Sequence, residues 1–142
     1  MAIKENFIVM CDDFRREDNG KILLIGMYVV DITVPSIPFP FPTLTFFCQL
    51  ESDRPGTFRF SFRLRHEESG RTLAEGLGQA PVNDHRLPVI MPVKIGGLLI
   101  QAPGLYTFSL EFDGQAPIVK TFNVVLVVPG MIPLPGMPHG QR

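Results

Sequence analysis

The stretch that most constrains the fold is TFRFSFRLRH, residues 57–66. Phe58, Phe60, Phe62 and Leu64 fall on one side of an extended chain, and Thr57, Arg59, Ser61, Arg63 and Arg65 fall on the other. Successive side chains of a strand point to opposite faces, so this alternation predicts an antiparallel strand with one buried face. TLTFFCQLE repeats the pattern, with Leu44, Phe46, Cys48 and Leu50 inward. Near the C-terminus, LYTFSLEFDGQAPIVKTFNVVLVV reads as a hairpin turning at Asp113-Gly114, a dipeptide that supplies the positive φ a tight turn needs. Asn19-Gly20 and Glu68-Ser69-Gly70 mark two more turns. No i, i+3, i+4 repeat is long enough for a core helix.

Counting such runs predicts about eight strands, at 6–12, 21–31, 43–51, 57–66, 71–78, 89–95, 104–112 and 117–128. Short strands divided by glycine and proline turns make an all-β domain, an antiparallel β-sandwich of seven to nine strands over residues 1–128. The longest internal loop is placed at 79–88. Residues 129–142, PGMIPLPGMPHGQR, are too rich in proline and glycine to hold a ladder and read as a flexible tail. In PSIPFPFPTL the prolines argue against regular pairing, leaving Phe39 and Phe41 on an extended connection. They serve either as a recognition surface or as rings tucked between the two sheets.

With 13 Lys and Arg against 14 Asp and Glu, the chain lacks the positive field that non-specific nucleic-acid or anionic-membrane binding requires. No apolar run reaches the ~20 residues of a membrane-spanning helix, and acid arrives too early at the N-terminus for a signal-peptide core. Two cysteines without an export signal are read as reduced thiols in a cytoplasmic protein; both Cys11 and Cys48 sit on apolar faces.

FIVMCDDFRREDNGKILLIGMY, followed by DITVPSIPFPFPTLTFF and APGLYTFSLEFDG, resembles a family of small uncharacterised bacterial proteins sharing the pattern DD-x-R-x-E…GK-x-x-L-I-G-x-Y…VPS-x-P. The likeness covers most of residues 6–128. It implies a β-sandwich and carries over no activity and no catalytic residues.

Several residue groups could carry chemistry. Asp12, Asp13, Glu17 and Asp18 are weak candidates for a hard cation, which takes six to eight oxygens, and with it for a metal-dependent ligand binder or enzyme. Their spacing is not that of an EF-hand, and Arg15 and Arg16 lie among them, so a structural ion pair of Asp12 or Asp13 with Arg15 or Arg16 at a hairpin rim is the preferred reading. His66-Glu67-Glu68 opens like a zinc-protease motif but lacks the second histidine. Asp84-His85 has no serine or cysteine nucleophile signalled beside it. Gly96-Gly97 lacks the rest of a phosphate loop and reads as a bulge. Arg59, Arg63 and Arg65 form a basic stripe, but the aromatics that would stack on bases point the other way, so pairing with Glu51, Glu75 or other acids is expected and nucleic acid is disfavoured. No catalytic set and no cofactor is expected.

The outstanding feature is an apolar surplus. In KILLIGMYVVD, Ile22, Leu24, Tyr28 and Val30 take one face while Leu23, Ile25, Met27 and Val29 take the other; in NVVLVV, Val125 and Val127 oppose Val124, Leu126 and Val128. A two-layer sandwich buries only one face of each strand. A crossing loop, the tail or another chain must cover the second. The sequence therefore points to a non-catalytic binding or assembly module, a homo-oligomer or the receptor of a protein partner.

Overall fold

The computed structural model describes residues 2–127. Within these residues nine strands form two packed sheets: β1 (Ile3–Arg16), β2 (Ile22–Tyr28), β3 (Ile32–Val34), β4 (Phe39–Ser52), β5 (Gly56–His66), β6 (Thr72–Val82), β7 (Val89–Ile100), β8 (Gly104–Phe112) and β9 (Ile118–Leu126). One sheet has the order β2-β1-β4-β7 and the other β3-β9-β8-β5-β6. Pairing is antiparallel throughout except for β3 on β9.

The expected inward faces are the core. Leu44, Phe46, Cys48, Leu50 and Leu64 are fully buried. Phe46 lies flat on Phe108 with centroids 3.9 Å apart, and Phe122 and Tyr106 extend the aromatic stack. The three predicted turns form with glycine in the left-handed region, at Gly20, Gly70 and Gly114. At the first, the Gly20 N–H donates to the Glu17 carbonyl (3.0 Å). The β6 glycines have a different purpose. Gly78 pairs with Phe60 and Gly76 with Phe62, and a Cβ at either would press into the ring, 2.6 Å from its nearest atom. The rings of β5 thus lie over bare backbone and seal the edge of the core.

Four expectations are corrected. The run 21–31 is not one strand: β2 belongs to the four-stranded sheet and β3 to the other, and the chain crosses between them at 29–31. Asp31 anchors the crossing by accepting the Asn123 N–H (3.0 Å). The proline-rich connection does pair regularly, Phe39, Pro40 and Phe41 facing Ile100, Leu99 and Leu98. Prolines two residues apart place their missing donors on one edge, and β1 pairs with β4 only from Thr45 onward, so that edge needs none there. The loop expected at 79–88 shortens, because β6 continues to Val82. The acidic stretch Cys11–Arg16 is part of β1 rather than a rim beyond it. The tail assigned to 129–142 lies outside the described residues.

Candidate docking face

Register decides which side chains share the outer face of the four-stranded sheet. Cys11 pairs with Met27, Asp13 with Ile25 and Arg15 with Leu23. On the other flank, Phe7 pairs with Gln49, Val9 with Phe47 and Cys11 with Thr45. Side chains directly opposite in a ladder lie on the same face, so Leu23, Ile25, Met27, Phe7, Val9 and Phe47 form one apolar surface turned away from the core. Its centre is dry. Phe47 is 4% exposed beneath Phe7 and Phe14 (centroids 6.4 and 6.2 Å), and Thr45 and Cys11 are completely buried. Its margin is open, with Phe7 41%, Leu23 47% and Met27 53% exposed. Beyond β2, Val29 and Val30 on the crossing are 81% and 69% exposed.

The aspartates border this face, but not as an arginine pair. Asp13 meets Lys94 of β7 at 2.8 Å, reaching past β4, and Lys94 also lies 5.9 Å from the Phe14 ring. The lysine bond, with the Phe14 N–H second, holds the Asp13 carboxyl below the usual carboxylate range. Asp12 accepts the Tyr28 hydroxyl (2.7 Å). Burial, then this carboxylate, pushes the Tyr28 phenol upward. Gly26 makes room: a Cβ there would collide with the Asp12 carboxylate. Arg15 and Arg16 are exposed and enter no ion pair among the described residues. Both aspartates are satisfied by residues distant in sequence, which adjacency along the chain could not reveal. Asp12, Asp13, Glu17 and Asp18 do not assemble a cation site, for among the described residues no three His, Cys, Asp or Glu side chains are grouped to hold a metal.

Of the other proposed contact residues, Val125 is 39% exposed on the opposite sheet, and Val127 follows β9, its N–H bonded to the Val34 carbonyl (2.9 Å). Neither joins the β2 face. Phe41 is buried and Phe39 half-buried, the rings 5.1 Å apart and Phe41 edge-on to Tyr28. They plug the end of the sandwich, so neither forms a protruding recognition surface.

Several other titratable groups are engaged structurally. Arg63 pairs with Glu75 (3.5 Å) and Arg59 with Asp113 (3.2 Å), whereas Glu51 faces Lys4. Asp84 accepts the Arg86 guanidinium (2.9 Å) and its N–H (3.0 Å), which keeps the carboxyl low, and His85 stands exposed beside it. His66 is the functional-looking residue the sequence understated. It continues the inward face of Phe58 to Leu64 and is buried, with Nε2 2.9 Å from the Pro103 carbonyl and Nδ1 2.7 Å from Ser69 Oγ. A carbonyl can only accept, so Nε2 carries the proton and neither nitrogen is free. Burial pushes the Cys48 thiol to about 12 and, with Asp12 second, raises Cys11; neither is a nucleophile at neutral pH. A depression of about 780 Å³ lies on the other sheet around Leu77, Arg59, Ser61 and Glu111.

No helix among the described residues is long and apolar enough to cross a membrane. No curated protein matches the chain. Among solved structures, a novel β-glucosidase of Erythrobacter marinus, EmGH1, is similar at 12% identity and a TM-score of 0.40, over 66% of this chain and 14% of that one. A family of unknown function, DUF6941, matches residues 6–125. The nine-stranded, helix-free domain described above belongs to that family.

Proposed function

We propose that this domain is a non-catalytic binding or assembly module of the bacterial cytoplasm, which self-associates or docks a protein partner through the apolar outer face of its four-stranded sheet. One observation carries the reading: Leu23, Met27 and Phe7 remain about half exposed around a dry centre formed by Phe47. Apolar surface of this kind, contiguous and rimmed by the Asp13–Lys94 pair, is what interaction sites present. Asp12, Asp13, Asp84 and His66 are each tied into the fold, which supports binding over catalysis.

Methionine oxidation of the full chain tests it. Met10 and Met91 are buried and serve as internal references for Met27. In dilute solution Met27 is expected to oxidise at least tenfold faster than either. Equal protection of all three at the lowest concentration means that the chain covers the face itself, and overturns the proposal.

A further inference from the structure

Among the described residues, four strands end the two sheets: β2 and β7 in one, β3 and β6 in the other. An open edge presents unpaired N–H and C=O groups to any passing strand, and proteins block such edges with proline, charge, glycine irregularities or brevity. Three of these four are blocked. β3 has three residues and is followed by Pro35. β6 carries Glu75, Pro81 and the ring-covered glycines. β7 carries Pro92, Lys94 and Gly97 at φ 63°. The fourth is unguarded: Ile22–Val30 contains no charge and no proline. Its one irregularity, Gly26 at φ 67°, comes after the run Ile22–Ile25.

We propose that β2 is an association edge for a second copy of this chain, paired antiparallel to its own counterpart so that two four-stranded sheets become one of eight. This rests on the assembly reading above and names its partner and geometry. A two-fold axis perpendicular to the sheet keeps residues of like parity on one face. Leu23, Ile25 and Met27 of both copies therefore continue a single outer strip, beside the half-buried Ile22, Leu24 and Tyr28. The ends match in charge as well, since the Lys21 end of each strand lies toward the Asp31 end of the other. Leu23, Met27, Val29 and Val30 are 47%, 53%, 81% and 69% exposed in the single copy, so this edge and its flank are apolar where a second strand would lie.

Light scattering of the full chain with Leu23→Lys, Met27→Glu and their equal mixture tests the geometry, because a two-fold axis at Ile25 sets Leu23 of one copy opposite Met27 of the other and both side chains are about half exposed. The wild type is expected at twice 15.9 kDa, each variant at half the wild-type mass, and the mixture back at the wild-type mass, since opposite charges then meet across the paired edge. Hydrogen exchange of the unsubstituted chain gives a second readout: alternate amides of 22–28 slow at least tenfold as concentration rises through the dimer transition. A dimer that persists in both charge variants, a mixture that stays monomeric, or β2 amides indifferent to concentration overturns the edge pairing and leaves the assembly reading standing. A wild-type monomer overturns the second copy as partner; Met27 oxidation in dilute solution then decides separately whether the face is open to another protein.

Discussion

On the outer side of β5, Arg59 and Arg63 stand in water with side chains 75% and 53% exposed, paired to Asp113 and Glu75. On the outer side of β4, Thr45 and Phe47 are 0% and 4% exposed. Both strands are interior to their sheets and both show the same inward alternation, so the pleat treats them alike. They differ in what their neighbours bring. β6 and β8 set Glu75, Ser109 and Glu111 around β5, whereas β1 and β2 lay Phe7, Val9, Leu23 and Met27 across the other sheet. One outer face is hydrated, its exposed ion pairs contributing little, with Leu77 and Val119 standing separately among them. The other is a partly covered second core.

The contrast has measurable consequences. Phe47→Ala, on a nominally outer face, is expected to lower unfolding free energy by about 3 kcal/mol in urea titration, the lower end of the range for a buried phenylalanine. A loss under about 1 kcal/mol would mean that Phe7 and Phe14 do not bury it. A charge effect follows at the border. Because Lys94 lowers the Asp13 pKa in the folded state, the pair stabilises above the ordinary carboxylate pKa of about 3.9 and loses its contribution as pH falls through the lowered value. The urea midpoint of wild type should therefore exceed that of Lys94→Met at pH 7, with the gap closing as pH falls through the lowered carboxyl value. A constant gap would assign the effect to packing over Phe14. The smallest change belongs to Arg63→Ala, expected to cost less than about 0.5 kcal/mol, less still in high salt, because both partners are mostly exposed. A cost equal to that of Phe47→Ala would erase the distinction between the two faces.

The faces of β5 and β4 were legible in the sequence because alternation is a property of a single strand. The surplus on β2 was legible for the same reason, and the face it forms holds Leu23, Ile25 and Met27 as expected. What the pattern could not convey is which strand lies beside which. The partner of Asp13 is Lys94, two strands away, and the sequence neighbours Arg15 and Arg16 offered a nearer but incorrect choice. For Phe39 and Phe41 the sequence left a recognition surface and tucked rings both open; in register with β7, Phe41 is buried and Phe39 half-buried.

By itself, then, the sequence determined that this is an all-β chain, where it turns, and which side chains of each strand share a face, since these follow from backbone geometry within a few residues. Only the tertiary structure decided that 21–31 divides between two sheets, that Gly76 and Gly78 lie beneath Phe62 and Phe60, and that β2 ends its sheet among the described residues. Those outcomes depend on contacts between residues far apart along the chain, where packing volume and hydrogen-bond satisfaction across the whole sandwich select one arrangement from many that local preference allows.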